Sequence, residues 1–433
     1  MSEEHKITGI GDFVIDCYTE YGDYVNKSRH VPRFEDGLKP VYKRLILTAL
    51  RYPEGEMVKT LALLGDLIKY YHPHSSDGAI GVVSELVRAG IFDGQGNFGD
   101  KGMFRWSDFG PAAPRYTEVR LNKKFRDLIG KLLPYVPQKL NDLDNMESEY
   151  IPIPYPICLQ LGSFGMAVGL STNTPAFKAD SMIRAGYAAI CKTHDRPWEL
   201  LEPSYGLTMT NEDKELFWNK SEGRLTYNFS VNPANSGGLN GWYIEGDPSF
   251  VKPKTSKLFK AKGSEGKLVI RDESYGNCKR IFVARSKRIK TITDSEVEQL
   301  VYDAASVTKH FSLWTVYGDQ SRRVTGGVWI KKCMLHYNEL VKQYRADSIS
   351  KIDFEISVFK NFKVVSRMIL NTEFTYKQIA KEINVDEAIV KRISGMTIGS
   401  LRTTDPDKKI KNLEKDRKYF ETLTTKKVLQ EFL

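Results

Sequence analysis

Cysteine is scarce in this 433-residue chain and is never paired: Cys17, Cys158, Cys191, Cys278 and Cys333 lie far apart, with no CxxC and no histidine at ligand spacing. That argues against both a zinc site and a disulfide framework. Long hydrophobic runs are missing too. The longest nearly apolar stretch, Ile157 to Leu170, is broken by Gln160, Ser163 and glycines, too short and too polar to span a bilayer, so no membrane partner is expected. The first ten residues, MSEEHKITGI, lack the basic start and apolar core of a signal peptide, which points to a cytoplasmic location. No GxxxxGK[ST] loop occurs: the Gly-Lys pairs at 130–131 and 266–267 are each followed by leucine, so ATP hydrolysis by this chain has no support. Asp142-Leu143-Asp144 forms a DxD inside the polar run NDLDNMESE, without a preceding apolar strand to present it to Mg²⁺, and no metal ligands are assigned.

What is present is an ordinary globular composition with a basic bias. Hydrophobic residues make up 41% and charged residues 27%, which excludes wholesale disorder. The length suits two to four packed units. Lys and Arg number 64 against 54 Asp and Glu, a formal charge of +10 that favours polyanionic partners through counterion release.

Residues 1–125 read as mostly helical. Pro40 opens a helix through VYKRLILTALR, a second amphipathic stretch covers Val58 to Tyr71, and a third covers Gly78 to Arg88. Three short helices with a basic first member are compatible with a winged helix-turn-helix module. DGQGNFGDKG then interrupts the pattern with turns or close-packed loop. Past the proline-spaced IPIPYPI run, alternating segments between Arg224 and Ile289 predict strands, and Thr293 with Glu296 forms a capping box opening a helix. From Met334 to Leu370 glycine and proline vanish and apolar residues approach a heptad rhythm, predicting a long helix. The charged stretch 371–433 reads as helical, suited to an antiparallel return.

Two places carry candidate chemistry. His72 and His74 flank Pro73 in KYYHPH, where the proline keeps both rings off one helical face; phosphate contact and ordinary surface histidines both account for them. Arg115-Tyr116 follows the glycine-rich stretch and precedes TEVRL on an exposed connection. A phenol with a free pKa of about 10 needs a neighbouring cation before it can attack phosphorus, and Arg115 supplies one; a packing tyrosine is the plain alternative.

DGLKPVYKR (36–44), KYYHPH (69–74), DGQGNFG (93–99), AAPRYTEVRL (112–121) and GSFGMAVGLSTNTP (162–175) occur in the order and approximate spacing of type IIA DNA topoisomerases. Over roughly residues 10–370, most strongly to 175, the chain resembles their breakage-reunion subunit. In layout it is most similar to the medium subunit of T-even-type bacteriophage topoisomerases.

The resemblance implies a multidomain α/β chain. A winged-helix domain occupies 1–125, a tower domain with a mixed sheet 126–330, and a coiled-coil arm with a helical dimerisation end 331–433. It makes Tyr116 the nucleophile that forms a 5′-phosphotyrosyl link, with Arg115 as adjacent cation, and puts Arg29, Lys39, Lys43, Arg44, His72 and His74 against DNA. Tyr42 departs from the polar residue usual before the basic pair, and SSDGAIG departs from the pattern usual after the second histidine. An intercalating wedge falls within IPIPYPI, with Ile153, Tyr155 and Ile157 as rivals. The expected partners are double-stranded DNA and a TOPRIM-bearing large subunit that holds Mg²⁺ and ATP. The expected assembly is a homodimer within a heterotetramer, placed in a bacterial or phage-infected nucleoid. The charged end at Leu433, without propeller strands, adds relaxation and decatenation over negative supercoiling. The competing expectation is a winged-helix architectural subunit that binds DNA without cleaving it.

Overall fold

The computed structural model describes residues 9–74, 76–98, 111–162, 164–204, 207–246, 268–273, 279–286, 292–318, 320–371 and 374–430. The chain divides into two compact units, one reaching Tyr337 and one beginning at Asn338.

In the first unit, helix α1 (Ile10–Val25) buries only Gly22 and Val25 and runs into a π-helical turn, Asn26–His30. That turn is tied down by Asn26, whose side chain both donates to Val168 O (2.9 Å) and accepts from Val168 N–H (2.8 Å). Helix α2 (Pro40–Leu50) has proline at its first turn, where the missing N–H costs nothing, and buries Leu45, Ile46, Leu47 and Ala49. Helices α3 (Thr60–Tyr70) and α4 (Ser76–Arg88) follow. Strands β1 (Val58–Lys59), β2 (Phe92–Gln95) and β3 (Glu118–Leu121) make an antiparallel sheet in which β3 is central. Leu63, Leu67, Val83, Leu86, Phe92 and Val119 are all buried there, so three helices and a small sheet share one apolar interior.

The DGLKP segment joins this bundle to residues 151–157. Gly37 has φ +69°, and a Cβ there would sit 2.8 Å from both Ile157 N and Pro156 Cα. The buried Asp36 carboxylate accepts from Leu38 N–H at 2.8 Å and Ile151 N–H at 2.9 Å, and its carbonyl accepts from Ile157 N–H at 2.8 Å. Burial raises this carboxyl to about 6, with the two backbone donors opposing the shift.

The middle of the chain holds a four-stranded sheet in the order Ser230–Ser236, Leu239–Gly246, Lys279–Arg285, Leu268–Asp272. A second sheet has three strands: Ser306–His310, Arg224–Asn228 and Leu207–Thr208. The helix Asp294–Ala305 closes over them, packing Val297, Val301 and Ala304 with Tyr227, Ile244, Ile281 and Val283. Its capping box is formed by Thr293 and Glu296. The expected mixed sheet is corrected here: among the described residues every strand ladder is antiparallel. The reason is local in the first pair, where Gly237 and Gly238, both at positive φ, turn the chain straight back on itself, whereas a parallel pair would need a long crossover.

The helix Gly326–Asn371 extends the expected long helix toward its start. Within the first unit, Trp329 Nε1 donates to Phe34 O (2.7 Å) and the Tyr337 hydroxyl to Leu128 O (3.0 Å). In the second unit, Val358, Phe359, Phe362 and Val365 pack with Ile379, Val390, Ile393 and Leu401 from three short helices. The helix Pro406–Glu421 then returns antiparallel, since Lys363 meets Asp407 (2.9 Å), Asp353 meets Arg417 (2.6 Å) and Tyr344 meets Phe420. No helix of the described residues is long and apolar enough to cross a membrane.

Candidate active site

Tyr116 ends a 3₁₀ turn, Pro114–Tyr116, one residue from the central strand β3. The turn is made rigid from behind. Thr117, buried, donates through Oγ1 to Thr60 Oγ1 (2.8 Å) and accepts Thr60 N–H on its carbonyl (2.9 Å), which locks the base of the turn to the start of α3. Gly96 passes beneath at φ +102°, where a Cβ would stand 3.1 Å from Thr117 Cγ2 and 3.2 Å from Tyr116 O. That close approach is why the DGQG run carries glycine at this position.

The phenol itself is 65% exposed, an unusual posture for a ring with a rigid backbone behind it. The Arg115 guanidinium lies 4.6 Å from the ring centroid, over its face. Among the described residues the hydroxyl has no hydrogen-bond partner, and the side chain is open to solvent.

A separate basic cleft of about 440 Å³ is lined by Ser28, Arg29, Val41, His72, His74, Gly78 and Ala79. The two histidine rings meet edge to face at 4.5 Å. Burial lowers His72 to about 4, reinforced by His74, Arg44 and Arg29. His30 is lowered as well, by burial and then by Lys39 and Arg29. Burial also lowers Lys39, against the pull of Glu85. Arg29 gives the lining its positive charge, and the lowered His72 ring stays neutral near neutral pH and adds hydrogen-bonding nitrogens rather than charge.

Beneath the cleft lies a carboxylate that sequence reading overlooked. Glu147, on strand β5 (Met146–Ser148) of a hairpin with β4 (Gln138–Leu140), accepts from Lys43 Nζ at 3.1 Å and Arg44 Nε at 3.0 Å. Lys43 also donates to the carbonyls of Ser148 (2.8 Å) and Glu149 (3.3 Å). Its three donors are thus consumed and it is 3% exposed, which corrects the expectation that Lys43 contacts DNA. Burial lowers Lys43 to about 8, with Glu147 pulling the other way. Arg44 bridges the two layers, passing from Glu147 to His72 Nδ1 at 3.3 Å.

Tyr42 is inward too, its hydroxyl donating to Glu85, and burial pushes its pKa well up. The wedge candidates are corrected similarly. Ile153, Tyr155 and Ile157 are all buried, and the Tyr155 hydroxyl donates to Gln160 Oε1 (2.8 Å), so none projects toward a duplex in this conformation. The proline-rich register folds the run into the seam around Asp36 instead. Asp142 and Asp144 belong to a tight turn closed by Asn141 Oδ1, and no group of three or more His, Cys, Asp or Glu side chains among the described residues is placed to hold a metal ion.

Of the expected site residues, the fold gathers Arg29, Arg44, His72 and His74 around one cleft and presents Tyr116 with Arg115 on a rigid exposed turn. Glu147 supports that cleft through Arg44 without having been foreseen, and His30 feels the charges of Lys39 and Arg29. Glu147 lies in the polar run NDLDNMESE, and only its pairing with residues 103 and 104 positions away gives it a role.

Residues 29–433 match the family described as the A subunits of DNA gyrase and topoisomerase IV. The DNA gyrase A protein of Clostridium acetobutylicum is 33% identical over 181 residues, covering 39% of this chain and 21% of that protein. Its Haemophilus influenzae counterpart is 32% identical over 199 residues (43% and 22%). That of Rickettsia bellii is 28% identical over 295 residues (63% and 32%). These matches span about a fifth to a third of the length of the curated relatives.

Proposed function

The chain belongs to the family of DNA gyrase and topoisomerase IV A subunits, and from that premise we propose that it is the DNA-cleaving and rejoining subunit of an ATP-dependent type IIA topoisomerase. The observation that carries this reading is the exposed Tyr116 on its braced turn, with Arg115 over the ring.

The Tyr116 oxygen attacks a backbone phosphorus; the new O–P bond replaces the bond to the 3′ oxygen, which leaves and takes up a proton as the phenol loses one. The strand is left 5′-linked to the protein and 3′-hydroxyl at the gap. The phosphodiester bond energy is retained in the phosphotyrosyl link, so the reverse attack reseals the strand without a ligase. Arg115 offsets charge on the phosphorane, while Arg29, His72 and His74 hold the backbone in the cleft. Helices α2 to α4 with the β1–β3–β2 sheet act as the winged-helix module, the sheets of the middle region as the tower, and the helices from Asn338 onward as arm and dimerisation end.

Mg²⁺ and ATP belong in this reading to a large partner chain, and two copies of each chain complete the assembly, because a double-strand break takes two tyrosines. Reconstitution with a gyrase B-type partner, Mg²⁺, ATP and supercoiled plasmid tests it. Denaturant is expected to trap broken, protein-linked plasmid with the wild-type chain and intact plasmid with Tyr116→Phe. Plasmid that is bound tightly yet never broken by the wild-type assembly would overturn the proposal in favour of a non-cleaving architectural role.

A further inference from the structure

Glu147 sits where no substrate reaches it, 2% exposed at its side chain, yet Arg44 connects it to the wall of the cleft. The chain of contacts runs Glu147 Oε2 to Arg44 Nε (3.0 Å), then Arg44 Nη1 to His72 Nδ1 (3.3 Å). A second contact, Arg44 Nη2 to Glu147 Oε1 at 3.4 Å, makes the grip two-pronged. Arginine has five donors, no acceptor, and keeps its charge at any working pH. Whatever accepts from Arg44 Nη1 must offer a lone pair. His72 Nδ1 therefore carries no proton, and a neutral ring must carry its hydrogen on Nε2.

We infer that Glu147 is a positioning residue that acts through Arg44 to hold His72 as the neutral Nε2–H tautomer, a fixed hydrogen-bond donor to a phosphodiester oxygen in the cleft. This rests on the strand-cleaving reading above for its substrate, though not for its structural part. Without the carboxylate, Arg44 has no anchor on its inner side and is free to turn from the histidine. Three of the four charged groups facing His72 agree in sign: His74 from its own loop, Arg44 from α2 and Arg29 from the π-helical turn oppose a second proton, and Glu147 favours one. Burial works with the cations, so the ring stays below its ordinary titration range. A histidine held this way neither gains nor loses a proton near neutrality. It can orient the phosphate without adding a third cation, and it is not a general acid or base, which would require a pKa near the working pH.

Nitrogen-15 spectra of the histidine-labelled full chain, with His72 assigned from the peak missing in His72→Gln, read the tautomer directly and need no DNA. Wild-type His72 is expected to show an unprotonated Nδ1 and a protonated Nε2 at neutral pH, with a titration midpoint well below that of a free histidine. In Glu147→Gln, shown folded by circular dichroism, the Nε2–H preference is expected to relax to a mixture, with Glu147→Asp restoring most of it. Arg44→Met supplies the same test should Glu147→Gln fail to fold. In the reconstituted enzyme Glu147→Gln is expected to slow DNA cleavage roughly 10- to 100-fold at saturating DNA with affinity nearly unchanged. A wild-type His72 that is protonated at neutral pH or carries its hydrogen on Nδ1 would overturn the inference, as would an unchanged tautomer in either folded variant. Failure of wild-type cleavage alone, with the spectra as expected, would instead count against the strand-cleaving reading.

Discussion

Asp36 and His72 place opposite pH signatures on the same molecule. The folded Asp36 carboxyl, raised from 3.8 to about 6, binds its proton more tightly than in the unfolded chain, so its contribution to stability falls as pH rises through that interval. His72 is lowered from 6.5 to about 4, so the unfolded chain binds the proton first; its contribution is complete above 6.5 and is lost as pH falls toward 4. Because the windows overlap, the histidine has to be isolated by difference. Between about pH 7 and about pH 4.5 the wild type is expected to lose more denaturant resistance than His72→Gln, and equal losses would contradict the assigned environment. Asp36→Asn gives a second residue-level test. Both carboxylate oxygens accept backbone N–H groups, so an amide must turn its NH₂ on one of them, and a loss of about 1–3 kcal/mol in urea unfolding is expected.

The braced turn and the β4–β5 hairpin that carries the buried Glu147 make element-level predictions of different kinds. Gly96→Ala forces a Cβ into a positive-φ position against Thr117 and Tyr116, so about 1–3 kcal/mol of stability is expected to disappear along with part of the cleavage activity. Normal melting and normal cleavage in that variant would show that the glycine does not set the tyrosine's position. Lys43→Met leaves Glu147 buried with Arg44 as its remaining cation, and a cost of about 3 kcal/mol in chemical unfolding is expected. What could be read in advance at this scale followed local rules. Pro40, the Thr293–Glu296 capping box and the glycine-free stretch from Met334 each announce a helix through neighbouring residues. The long helix nevertheless starts earlier, at Gly326, because the burial of Trp329 and Ile330 overrides two glycines that argue against a helix. Lys43 and the IPIPYPI run were misplaced for the converse reason: Glu147 and Asp36, which draw them inward, lie about a hundred residues away in sequence.

At the scale of the molecule, a formal charge of +10, a basic cleft, an exposed tyrosine and a family match over residues 29–433 all support the proposed strand cleavage. The motifs made the proposed reactive pair legible because Arg115 and Tyr116 are adjacent in the chain and need no fold to meet. The cleft was legible only as a set of residues, since Arg29, Arg44 and His72 come from three separate segments. Sedimentation of the assembly with its partner and DNA is expected to give a mass that contains two copies of the 49.4 kDa subunit, and a complex holding a single copy would contradict the two-tyrosine assembly. The most direct measurement is the chemistry of the trapped adduct. DNA cleaved by the reconstituted enzyme is denatured, digested with nuclease and protease, and the nucleotide-bearing peptide is sequenced by mass spectrometry. The expected product is a nucleotide joined through its 5′ phosphate to Tyr116, with no adduct from Tyr116→Phe. A nucleotide on another residue, a 3′ linkage, or an adduct that survives the substitution would contradict strand cleavage by this tyrosine.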